Sequence, residues 1–155
     1  MKTPASIGKH PIHPMLVALP IGLWIFSFVC DLIALAKGTS RPWKEIAFYS
    51  IAGGIAGALL AALPGLIDLF SISAPRVKTI GITHMILNLV AVGVFGVDLW
   101  LRTSNGRAGV AVILSAVGIC LIGVSGWLGA EMVYVHRVAV DSKPVPSEAR
   151  IRRVA

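Results

Sequence analysis

The chain has 155 residues, of which 56% are hydrophobic and only 14% charged, and its mean hydropathy is +0.84. A soluble domain carries about 25% charged residues, so this composition excludes an ordinary water-soluble fold and points to the membrane. The net charge of +7 does not imply nucleic-acid binding, because the basic residues are spread over every polar segment, as in flanks that meet anionic headgroups.

Residues 1–13 form a short polar segment containing the motif His10-Pro11-Ile12-His13-Pro14. A helix needs about 20 apolar residues to cross the hydrocarbon core. Four stretches reach that length: 14–36, 46–69, 80–101 and 110–134. The first is too long for the core of a signal peptide and has no small-residue cleavage site, so it reads as a span. Pro14 starts it, where a missing N–H costs nothing, and Pro20 is expected to kink it about two turns in. A polar loop from Lys37 to Pro42 leads to Trp43, which opens the second helix, and Pro64 with Gly65 bends that helix near its end. Turn-forming loops at 71–79 and 103–106 precede the third and fourth spans, and a polar tail at 141–155 is expected to be mobile.

Connections this short force neighbouring helices antiparallel. The expected fold is therefore all-α: an integral membrane four-helix bundle, up-down-up-down, with one domain over 14–140 and both termini on one side. Gly53-x-x-x-Gly57, Gly54-x-x-x-Ala58 and Gly126-x-x-Gly129 are expected to let helices approach closely. Cys30 and Cys120 fall at different depths, which argues against a disulfide, and the lack of Cys-x-x-Cys-His excludes covalent c-type haem.

All four histidines fall on the side of the amino terminus. His10 and His13 precede the first span, His84 lies one turn into the third, and His136 follows the fourth. Asp68, Asn88, Glu131 and Arg137 belong to the same end, and Asn88 shares a helical face with His84. Each proline drives the histidine before it toward an extended conformation, so His10 and His13 are expected about 9 Å apart along a polyproline path, too far to chelate one ion. At the opposite end Asp31 and Asp98 lie among Lys37, Arg102 and Arg107, where interfacial ion pairing is expected beside a belt formed by Trp43 and Trp100. On the histidine side the basic residues are Lys2, Lys9, Arg76, Lys78, Arg137, Lys143, Arg150, Arg152 and Arg153. Against them stand Lys37, Arg41, Lys44, Arg102 and Arg107, a balance that places the histidine side and both termini in the cytoplasm.

The run His-Pro-Ile-His-Pro-Met-Leu-Val, then Leu19-Pro20-Ile21-Gly22, Pro64-Gly65-Leu66-Ile67-Asp68, Thr83-His84 with Asn88, and Gly126-Trp127-Leu128-Gly129 leading to Val133-Tyr134-Val135-His136, resembles one known group. This is the DUF2231 family of prokaryotic membrane proteins, over about residues 9 to 140. The resemblance implies a multi-pass protein of the prokaryotic inner membrane. Related domains joined to Rieske or cytochrome-type redox modules imply a place near membrane electron transfer.

These residues suggest three functions. The leading one is a b-type haem-binding or electron-transfer subunit with a single site, in which His84 and either His13 or His136 are axial ligands. His10, Asn88 and Arg137 would then support the cofactor, with a redox protein or quinone as partner. The second is a non-haem site for one zinc, copper or iron ion held by His84, His13, His136, Glu131 and Asp68. The third is a structural or anchoring subunit without a cofactor, in which homo-oligomers are possible. No nucleophile–base pair or phosphate loop marks an independent enzyme.

Overall fold

A computed structural model describes residues 4–8, 10–38, 41–104 and 108–140. The tail at 141–155, part of each helix-connecting turn at 39–40 and 105–107, and seven of the basic residues counted for orientation (Lys2, Lys9, Arg107, Lys143, Arg150, Arg152 and Arg153) lie outside the described residues.

The four spans are present, and their helices run beyond the apolar stretches. A short antiparallel pair, β1 (Ser6–Ile7) and β2 (His10–Pro11), precedes α1 (Ile12–Leu16) and α2 (Ala18–Ala36). Then follow α3 (Arg41–Ser71), α4 (Pro75–Thr103) and α5 (Ala108–Ala130), which ends in a π-helical turn, Glu131–Val135. The four units Ile12–Ala36, Arg41–Ser71, Pro75–Thr103 and Gly109–Val135 are each long and apolar enough to cross a membrane. Helices α2 and α3 pair along their length, as do α4 and α5, and the two hairpins meet through α3 with α4 and α2 with α5. Large side chains such as Leu63, Phe70 and Trp127 point outward, as suits a lipid solvent.

The prolines act one turn from where a simple kink would put them. Pro20 has no N–H for the carbonyl of Leu16, and its ring crowds that carbonyl, so the helix breaks at Val17 between α1 and α2. Pro64, by contrast, lies inside the unbroken α3. The polyproline path expected through the His-Pro motif holds only to Pro11, whose backbone is extended (φ −70°, ψ 128°). His13 instead enters the first turn of α1, where Pro14 needs no hydrogen bond.

The core at mid-bundle is Trp24 stacked on Phe95, with ring centroids 4.3 Å apart and planes within 11°. Ile51, Ala91 and Ile122 surround the pair. Gly54 lets α3 approach α2 here, since a Cβ at that position would collide with the Trp24 indole. Gly53 and Gly57 meet Leu23 and Pro20 in the same interface. Gly126 departs from expectation: a side chain there would meet open space, and only Gly129 of that pair lies against a neighbour. Cys30 is buried, Cys120 exposed, and both are free.

The end opposite the histidines differs from an exposed interface. Arg102 grips Asp31 with two bonds, Nη1 to Oδ1 at 2.7 Å and Nη2 to Oδ2 at 2.6 Å. Its Nε also donates to Asp98 Oδ1 at 2.9 Å, and the Ser115 hydroxyl donates to Asp98 Oδ2 at 2.8 Å. Both carboxylates are buried, so one guanidinium fastens α2, α4 and α5 away from water. Lys37 takes no part and lies over the Trp43 ring at 5.8 Å. Removing one partner of a buried charge network strands the others, at a cost of about 3–5 kcal/mol. Arg102→Leu is therefore expected to lower unfolding stability in detergent by that amount. Adding Asp31→Asn and Asp98→Asn should restore most of the loss, because no charge then stays unpaired; equal stability of the single and triple variants would contradict this account.

Candidate functional site

Two of the four histidines come together. His13, on α1, and His84, on α4, have ring centroids 6.2 Å apart with planes at 88°. Each is aimed by the same device. His13 Nδ1 lies 2.8 Å from the carbonyl oxygen of Ala61, and His84 Nδ1 lies 2.8 Å from that of Ser125. A carbonyl only accepts, so both Nδ1 atoms carry a proton, and in the neutral ring it is Nε2 that has the lone pair. The Ser125 hydroxyl reinforces this at His84, standing 2.9 Å from Nδ1 while donating to the His84 carbonyl at 3.3 Å. Asn88 Nδ2 donates to His84 Nε2 at 3.1 Å and to the His84 carbonyl at 2.9 Å, the contact that their spacing of four makes available.

Two glycines make room for the rings. A Cβ at Gly65 would lie 2.7 Å from His13 Nδ1, and one at Gly129 would lie 3.3 Å from His84 Cε1. Proline one residue before Gly65 removes the N–H that would bond Leu60, loosening α3 beside the carbonyl that His13 uses.

His13 reaches this depth because the segment before it is folded back and tied. Asp68 Oδ1 accepts the N–H of Ala5 at 3.0 Å, and the carbonyl of Ala5 accepts the N–H of Ile12 at 3.0 Å. The β1–β2 strap is thus hung from the end of α3, with His13 directly after it. His84 is deeper than one turn. Because α4 starts at Pro75, His84 is nine residues in, about 13 Å along the helix axis.

Asp68, His10, His136 and Glu131 make other contacts. Asp68 spends an oxygen on the strap, and His10 is exposed on β2, paired across to Ile7. His136 Nε2 stands 3.8 Å from Glu131 Oε1 at the end of the π-helical turn. Arg137 follows with φ 54°, a strained backbone for a residue with a side chain. Among the described residues no three His, Cys, Asp or Glu side chains are placed to hold one metal ion. The sequence reading missed Ser125, Gly65 and Gly129 as parts of the histidine environment. Ser125, one of two serines in an otherwise apolar stretch, was the available signal; the glycines carried none, since glycine also serves plain helix packing.

A family model described as a predicted membrane protein, DUF2231, matches residues 9–142, and the chain belongs to that family. Neither the search of curated proteins nor that of solved structures returned a match.

The two carbonyl contacts set the tautomers. In 15N spectra of histidine-labelled protein, neutral His13 and His84 should both carry the proton on Nδ1. A predominant Nε2–H form at either ring would refute the geometry.

Proposed function

We propose that this member of the DUF2231 family is a membrane electron-transfer protein that binds one haem b through His13 and His84. The observation that supports this most is the pairing of two imidazoles from separate helices, each with its Nδ1–H on a backbone carbonyl. That outer bond is the usual way in which a protein orients a ligating histidine and leaves Nε2 for the metal. His13 and His84, with ring centroids 6.2 Å apart, would be the residues that hold the metal.

The number of donors favours haem over a bare ion. A haem brings its own equatorial nitrogens and would ask only two ligands of the chain, the number this pair offers. The donor set therefore fits, with one adjustment: Asn88 occupies His84 Nε2 and must turn its amide aside. Held by His13 and His84, a haem would supply one-electron transfer. The chain's own contribution is to fix the ring planes through Ala61 and Ser125, to hold His13 in place through the Asp68 strap, and to keep water away within the bundle. In a prokaryotic inner membrane the basic excess on the histidine side would face the cytoplasm, where a redox protein could dock.

Protein purified in detergent from haem-replete cells is expected to show a Soret band and split bands after dithionite reduction. His13→Ala and His84→Ala should each abolish the low-spin spectrum while the protein stays folded and monodisperse. A colourless wild-type protein would refute haem binding. Stoichiometric zinc or copper in that sample would favour the single-ion reading, and absence of any metal would leave the pair as an interhelical fastening in an anchoring subunit.

A further inference from the structure

The two imidazoles are not equivalent at the nitrogen that would meet a metal. His13 Nε2 has no hydrogen bond among the described residues. His84 Nε2 has one, from Asn88 Nδ2 at 3.1 Å. The same Nδ2 donates to the His84 carbonyl at 2.9 Å, so both hydrogens of one amide are spent on a single residue one turn away. The Ser125 hydroxyl also reaches the His84 carbonyl, at 3.3 Å, and the Ser125 carbonyl accepts the bond from His84 Nδ1. Both ring nitrogens of His84 are thus partnered, while His13 keeps one available.

The lone pair on His84 Nε2 takes one partner at a time. For His84 to ligate a metal, Asn88 gives up one of its two bonds and keeps the other, so the amide stays tethered to the His84 carbonyl. That release costs one neutral hydrogen bond, a net factor of about five in an equilibrium constant. In the metal-free protein the same bond has the opposite value. His84 lies about 13 Å along α4, inside a membrane span, where no water stands by to replace the donor. From this competition we infer that Asn88 is a placeholder for the ligand of His84: it stabilises the metal-free protein and weakens binding, so that the site takes up and releases its occupant. His13, with its nitrogen open, engages first, and His84 follows as the amide withdraws. The inference deepens the reading of His13 and His84 as metal ligands and rests on it. A residue that only packed the bundle would act alike on both states; a placeholder acts on them with opposite sign.

Asn88→Leu removes the donor and keeps a side chain of similar size. In 15N spectra of the histidine-labelled, metal-free chain in detergent, the His84 Nε2 resonance is expected to move toward that of an unbonded imidazole nitrogen, while that of His13 stays. The same variant should lower the thermal midpoint of the metal-free protein by about 2–4 °C. In a titration with hemin followed by visible absorption, it should bind about fivefold more tightly than the wild type. An unmoved His84 resonance, a midpoint that does not fall, or a hemin affinity equal to or below that of the wild type would overturn the proposal. If neither protein binds hemin, the haem reading fails and zinc chloride replaces hemin in the same comparison. Tighter zinc binding by Asn88→Leu then upholds the placeholder, and any other result overturns it.

Discussion

Inside a bilayer there is no water to satisfy a polar side chain, so one that enters the bundle is costly unless it finds a partner within the protein. Both functional-looking parts of this molecule follow from that constraint. At one end the Arg102 guanidinium is shared between Asp31 and Asp98, with Ser115 completing the acceptor set. At the other, His13 and His84 place their ring N–H groups on the carbonyls of Ala61 and Ser125. The first arrangement consumes its charges internally and joins three helices. The second leaves two nitrogen lone pairs directed by the fold, one of them held by Asn88. This difference makes the histidine end a candidate site and the arginine end a fastening.

Backbone irregularity puts His13 within reach of His84. The break at Val17 separates a one-turn helix from the rest of the first span, and the strap before it is folded back onto Asp68. A straight entry would leave His13 at the membrane surface with His10. The tight glycines then decide how near each ring can come, since side chains at Gly65 or Gly129 would press on the imidazoles. Glycine at 54 serves packing in the same way against Trp24. One residue type therefore does two jobs, and only its neighbours tell them apart.

Much of the architecture was legible in advance because hydrophobic length is a one-dimensional property. Four apolar stretches with short connections leave few folds besides an antiparallel bundle. The Pro20 break and the pairing of Arg102 with acidic residues were also visible in outline. The site was less so. Asp68 reads in sequence as one more possible ligand, yet its oxygen holds Ala5. His136 reads as an equal of His13, yet its neighbour is Glu131. Ligand identity depends on which side chains meet across 48 or 41 residues of chain, as in the His13–Ala61 and His84–Ser125 contacts, and no local pattern carries that.

The sequence by itself determined that this chain lives in a membrane, crosses it four times and gathers its imidazoles toward one end, since composition and apolar length suffice for each. The tertiary structure alone decided which two imidazoles come together and which backbone carbonyls orient them. Those properties arise from helix pairing, a proline-broken turn and the absence of side chains at two glycines, all of which exist only once distant parts of the chain are in contact.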